Sequence, residues 1–258
     1  MEFFDRRIET LKQRAFTLLE LLVVVAIVAM LVVLLIPAAM NVYAASTDAV
    51  SAHVIEQLNA AAESYLAENN QTYWPYRVTT NGGVQWWFGF EPAASYALQN
   101  SAGQRWLDLT KGPLGPYIAA SGGFCEDPSF TRHGNVFRPK FGNTHFAYGY
   151  NWLHLPGVNR MAINHPGQVA VFATCADVNA IQSPASAKHP MVEEQYMFDT
   201  GSEVNTAGPT VHFRIGGNAM VGYADGSAGC LPMVPGSLDT RMPGANIGLL
   251  SSSNIIPQ

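Results

Sequence analysis

Charge is scarce in this chain. Of its 258 residues only 13% are Asp, Glu, Lys or Arg, against roughly 25% in ordinary globular domains. Hydrophobic residues make up 48%, and that excess excludes a disordered chain, which would be poor in apolar residues and rich in charge. Fourteen Lys and Arg against nineteen Asp and Glu give a net charge of −5. No global basic field exists to hold a phosphate backbone, and no local basic patch replaces it, so nucleic acid is not an expected partner. Three cysteines are too few for a disulfide scaffold and lack metal-ligand spacing. The sequence also lacks a His-Glu-x-x-His helix, an EF-hand loop, a P-loop and a nucleophile elbow. The length is ample to bury a core, as one large or two small domains.

The apolar excess is concentrated. From Phe16 to Met40 only Thr17 and Glu20 are strongly polar, and from Leu21 to Met40 nothing is charged. A helix of about 20 such residues crosses the roughly 30 Å hydrocarbon core of a bilayer. A cleaved secretory signal has a shorter apolar region of roughly 7–15 residues. Ala38-Ala39 and Ala44-Ala45 would offer the small residues of such a cleavage site, but the run is too long for one, and a membrane span is expected. Arg6, Arg7, Lys12 and Arg14 precede the run, and no Lys or Arg follows it until Arg77. The positive-inside rule then places the N-terminus in the cytoplasm and exports the rest.

Glu20 stands out, because a carboxylate in an apolar span costs a few kcal/mol and generally has a partner or a function. Near the end of the span it can also simply reach the headgroup layer. Its context is Lys12-Gln13-Arg14-Ala15-Phe16-Thr17-Leu18-Leu19-Glu20 followed by an unbroken apolar run. This resembles the signature of type IV prepilins, shared by type IV pilins and type II secretion pseudopilins. The resemblance implies cleavage between Ala15 and Phe16 by the prepilin peptidase/N-methyltransferase, methylation of the new Phe16 amine, and Glu20 as the fifth residue of the mature chain. Ala15 stands where family members usually carry Gly. Pro37 falls where they commonly carry a helix-kinking proline, which removes one backbone hydrogen bond. The partners implied are that peptidase, other pilin or pseudopilin subunits, the inner-membrane assembly platform and membrane lipid. The location implied is the bacterial inner membrane, single-pass, and after assembly a pilus or pseudopilus. Glu20 of one subunit would pair with the Phe16 amine of a neighbour, since a paired charge at low dielectric costs much less than a lone one.

Beyond the span, Val50, Val54, Leu58, Ala61 and Tyr65 recur at helical spacing, with Asp48, Glu56, Gln57, Glu63 and Glu68 between them. No Gly or Pro interrupts Ala38 to Asn70, so one continuous helix is expected, laying this stripe on a head. Tyr65 to Pro75 stops it, in a pattern that resembles the helix end of pseudopilins. The chain thus divides into a leader (1–15), a transmembrane and polymerisation helix (16–40), its amphipathic continuation (41–70) and an exported head (71–258). The fold class expected is α+β, with a mainly antiparallel sheet. Val169–Ala173 and Ala219–Ala224 read as strands, Thr79 to Val84 as a hairpin with an Asn-Gly turn, and Ala93–Leu98 and Gly103–Leu109 as short helices.

Phe124–Pro128, Ala147–Asn151 and His165–Val169 leading to Asp177 resemble segments of large pseudopilin-like proteins of planctomycetes and verrucomicrobia. Their C-terminal hallmark is a His, nine residues, then Asp-Gly. Here twelve residues separate His212 from Asp225-Gly226. The bland reading of these residues is structural, with Asp225-Gly226-Ser227 turning a hairpin. Pairs such as His145 with His154, or His212 with Asp225, are the acid/base or metal candidates. No metal is expected. Calcium is the one cofactor weighed, and Asp177, Asp199 and Asp225 are isolated in sequence and do not reproduce a calcium-binding loop. Trp74, Trp86, Trp87, Trp106 and Trp152 either pack a core or offer a binding platform. Trp86 and Trp87, adjacent on a strand, should face opposite sides, which leaves room for one of them to be exposed. Two of Cys125, Cys175 and Cys230 could form one disulfide in an oxidising compartment. The function expected is a structural filament subunit that is not itself an enzyme. The alternatives are a membrane-anchored adhesin or ligand-binding protein, and an anchored enzyme.

Overall fold

A computed structural model describes residues 17–120, 130, 136–201 and 208–258 of the chain. Two compact units emerge, one up to Ala45 and the other from Ser46 to Gln258. A single helix, α1 (Leu18–Glu68), enters both, with Pro37 inside it. In the first unit its segment Leu18–Pro37 is long and apolar enough to cross a membrane, and its most apolar stretch has no buried residue.

In the second unit the same helix changes character. Val54, Ile55, Leu58, Ala61, Ala62 and Leu66 are buried, whereas Glu56 and Glu68 are exposed, which is the stripe expected from a 3.6-residue period. The helix ends where Asn70 and Gln71 adopt positive φ of 54° and 58°. The Gln71 N–H reaches back to the Leu66 carbonyl at 2.8 Å. This closing bond from past the last turn satisfies a carbonyl that would otherwise be orphaned.

After α1 comes a three-stranded meander of β1 (Arg77–Thr80), β2 (Gly83–Trp86) and β3 (Gly89–Pro92), with Thr80 opposite Gly83 across the Asn81-Gly82 turn. Helix α2 (Ala93–Tyr96) follows at the first of the expected short helices. The second is absent. Asp108 exchanges both backbone hydrogen bonds with Phe90 of β3, at 2.8 and 2.9 Å, while the Gly103 N–H donates to Pro139 and the Arg105 carbonyl accepts from Gly142, each at 2.8 Å, so Gly103–Leu109 spends its hydrogen bonds on neighbouring segments instead of on itself. Helix α3 (Gly115–Ala120) precedes the main sheet.

That sheet uses β4 (Tyr148–Asn151) and β5 (Ala170–Thr174), skips the ribbon of β6 (Ala176–Asn179) with β7 (Met191–Glu194), and returns through β8 (Met197–Phe198). Strand β9 (Val211–His212) pairs outside it, and β10 (Asn218–Tyr223) and β11 (Ala228–Pro232) complete it in the order β11-β10-β5-β4-β8. Within this sheet only the β4–β8 pairing is parallel. Strand β12 (Ile247–Gly248) pairs with β9. The arrangement is α+β, a helix with mainly antiparallel sheets, and fits a pilin-like fold. Segment Phe124–Pro128 lies outside the described residues.

Alternate residues of β10 serve two cores. Met220 joins the cluster of the α1 stripe, while Ala219 and Val221 join a second one with Phe198, Phe213 and Ile255, as the pleat requires. Trp74 is the centre of the first. Its ring meets Tyr65 of α1 edge-on at 5.3 Å and stacks on Tyr150 at 5.1 Å and Phe172 at 5.9 Å. Strand β10 itself comes up against α1: a Cβ on Gly222 would overlap the Asn59 carboxamide. Asn59 in turn donates to the carbonyls of Gly226 and Ser227 at 3.0 and 2.8 Å. Gly222→Ala is therefore expected to destabilise the chain by about 1–3 kcal/mol, measured by chemical denaturation in detergent. Gly216→Ala serves as the comparison, having open space but a φ of +57°.

Candidate functional site

The segment singled out by sequence is Ala15 to Pro37. Ala15 and Phe16 lie outside the described residues. At the start of α1, the Thr17 N–H and hydroxyl both donate to Glu20 Oε2 at 2.9 Å, and the Glu20 N–H donates to Thr17 Oγ1 at 3.2 Å. This is a capping box, in which a Thr and a Glu three residues on satisfy each other's backbone donors. Its signal, Thr-x-x-Glu before an apolar run, is present in the sequence. The carboxylate also sits in the first turn, where the helix dipole favours negative charge. Glu20 Oε1 takes no part in these bonds, so the cap leaves one oxygen for a cation. Around it Leu18, Leu19, Leu21 and Leu22 are all exposed.

The candidates in the head fall apart into separate places. Asp225 lies in the turn joining β10 to β11, where its Oδ1 accepts from the Ser227 N–H at 2.9 Å and hydroxyl at 2.6 Å. Gly226 has a φ of +86°, a conformation Gly reaches without strain, and its carbonyl is held by Asn59. The Asp-Gly pair thus turns the hairpin and ties it to α1. His212 is fully buried on β9, edge-on to Phe130 at 6.0 Å, with Nδ1 3.2 Å from Arg214. It belongs to the interior, in a different setting from the Asp225 turn.

His145 lies 3.1 Å from Glu194, and no group of three or more His, Cys, Asp or Glu suited to a metal ion occurs among the described residues. Cys175 is a buried free thiol whose pKa burial pushes up, and Cys230 is an exposed free thiol on β11, 4.0 Å from the Met220 sulfur. Cys125 lies outside the described residues. Trp86 and Trp87 are both buried, at 4% and 0% exposure, contrary to the alternation expected of them. Trp86 ends β2, so the chain turns before Trp87 and both rings reach the same core. Trp74 is buried with them, and only Trp106 among the tryptophans is exposed.

Sequence reading missed a buried ionic network. The register of β6 and β7 sets Asp177 directly opposite Glu193, a like-charge pairing that is unfavourable unless bridged. Lys140 bridges it, with Nζ 3.1 Å from Glu193 and 3.6 Å from Asp177. Arg138 adds a bond of 2.7 Å to the other Glu193 oxygen, and the Lys140 backbone N–H donates to Glu194 at 2.7 Å. Burial pushes the Asp177 carboxyl up to about 7, assisted by Glu193 and opposed by Lys140. Burial acts on Glu193 in the same direction, but Lys140, Asn179 and Arg138 together hold it below its ordinary value.

Residues 10–36 match the family model for the prokaryotic N-terminal methylation motif. That match supports a type IV pilin-like N-terminus and, with the apolar helix, a membrane-anchored protein. No curated protein matches the chain, nor does any solved structure.

Asp177 makes a pH prediction. An acid whose pKa is raised from 3.8 in the folded state keeps its proton when folded and loses it when unfolded between about pH 4 and 7. Stability therefore falls as pH rises through that window, by up to about 1.4 kcal/mol per pH unit. Denaturant titrations from pH 4 to 8 should show this decline in the wild type and a shallower one in Asp177→Asn.

Proposed function

We propose that this chain is a structural subunit, a pilin or pseudopilin, of a type IV pilus or type II secretion pseudopilus. It is a substrate of the prepilin peptidase, not an enzyme, and it waits in the inner membrane with its N-terminus cytoplasmic and its head exported. The observation that carries the reading is the coincidence of the methylation motif at residues 10–36 with a helix whose apolar residues are uncovered from Leu18 to Ile36. Such a surface needs lipid before assembly and neighbouring helices after it. Removal of residues 1–15 leaves ten basic against sixteen acidic side chains. The mature N-terminus then offers one new cation, the Phe16 amine, at the depth of Glu20.

The capping box sharpens the test. Gln can take the place of Glu in such a box but carries no charge. Glu20→Gln and Glu20→Ala are both expected to leave leader cleavage intact, seen by the mass of the membrane-bound form, and to abolish filaments. Filaments of normal abundance in either variant would contradict the proposed charge pairing.

A further inference from the structure

The end of α1 carries a signal that polymerisation does not use. Of the asparagines in the chain, only Asn70 is followed two places on by Ser or Thr, in Asn70-Gln71-Thr72. That triplet is the acceptor signal for N-glycosylation, which belongs to surface positions of exported proteins. An acid, Glu68, stands two residues before Asn70 and completes the longer form of the signal that bacterial transferases read.

The geometry fits an acceptor. Asn70 is exposed, just past the last turn of α1, and its φ of 54° lies in the left-handed region that Asn enters more readily than most residues. Helix termination alone accounts for an Asn at this place. It does not account for an uncommitted carboxamide. Asn69, beside it, commits its amide to the Tyr65 carbonyl at 2.8 Å, whereas neither the side-chain nitrogen nor the side-chain oxygen of Asn70 is bonded among the described residues. What Asn70 accepts goes to its backbone carbonyl, from Asn159 Nδ2 at 2.9 Å and from the Thr72 hydroxyl at 3.3 Å. The side chain is left in solvent, where a bulky, hydrated sugar displaces no packing.

The same bonds set an order of events. Asn159 follows Asn70 by 89 residues, the Arg160 N–H donates to the Gln71 carbonyl at 2.7 Å, and the Tyr117 hydroxyl donates to Glu68 at 2.5 Å. The signal is open on the emerging chain, and its peptide groups are tied down once the head has folded.

We infer that Asn70 is an N-glycosylation site, modified during export by an oligosaccharide carried on a polyprenyl diphosphate. Asn70 Nδ2 bonds to the anomeric carbon and gives up a proton to a base of the transferase. The bond from that carbon to the diphosphate oxygen breaks, and the polyprenyl diphosphate leaves with the electron pair. Modification of Asn70 rests on the proposed export of the head and not on polymerisation.

The test is intact mass and peptide mapping of the full-length chain isolated from its native membrane. The peptide carrying Asn70 should show the added mass of whole sugar residues, and Asn70→Gln should abolish it. Thr72→Ser keeps the hydroxyl and should retain the added mass. Thr72→Val keeps the branched shape but not the hydroxyl, and should abolish it, a pattern that a purely structural role for Thr72 would not produce. Denaturation midpoints establish that the variants remain folded. A bare Asn70 in the wild type, or added mass on this peptide that persists in Thr72→Val, would overturn the inference. Protease added to spheroplasts reads export separately: a digested head with a bare Asn70 overturns the glycosylation alone, and a protected head with a bare Asn70 overturns the export reading with it.

Discussion

A helix whose apolar residues from Leu18 to Ile36 lie uncovered cannot persist in water, and this constraint governs the rest of the molecule. Fully burying one Leu, Val or Ile is worth about 1.5–3 kcal/mol, so the segment as a whole is strongly driven into lipid or against other helices. The single acid near its start is tolerated because the capping box gives one carboxylate oxygen two donors and because it lies at the end of the span, where the cost of charge is lowest. A cation from a neighbouring chain would complete its coordination. The same residue thus starts the helix and, in the proposed filament, sets its register.

The second half of α1 obeys the opposite rule. Its stripe from Val54 to Leu66 is covered by the head, chiefly through Trp74, Tyr150 and Phe172. The close approach at Gly222 and the Asn59 bonds to the Asp225-Gly226 turn fix the rotation of the helix on that surface. The Asp-Gly pair has a mechanical part here. A turn with a positive-φ glycine presents its carbonyl to the helix, and an Asn on the helix face receives it.

What could be read in advance was local. The Val54–Leu58–Ala61 periodicity, the Asn81-Gly82 hairpin, strands β5 and β10 and the Asp-Gly turn are each written in adjacent residues, and each stands in the structure. What could not be read depends on distant segments. Gly103–Leu109 is not helical because β3 and the 139–143 segment take its hydrogen bonds, and Trp87 is buried because the chain turns after β2. The network of Arg138, Lys140, Asp177 and Glu193 joins three segments. Its only local trace is the presence of acids within the short strands β6 and β7.

The account rests on cutting between Ala15 and Phe16, because only that cut creates the amine that Glu20 is proposed to meet. The most direct measurement is the N-terminal sequence and intact mass of the protein isolated from its native membrane. A chain beginning at N-methylated Phe16 is the predicted result. A chain beginning at Met1, or after Ala39, would contradict it.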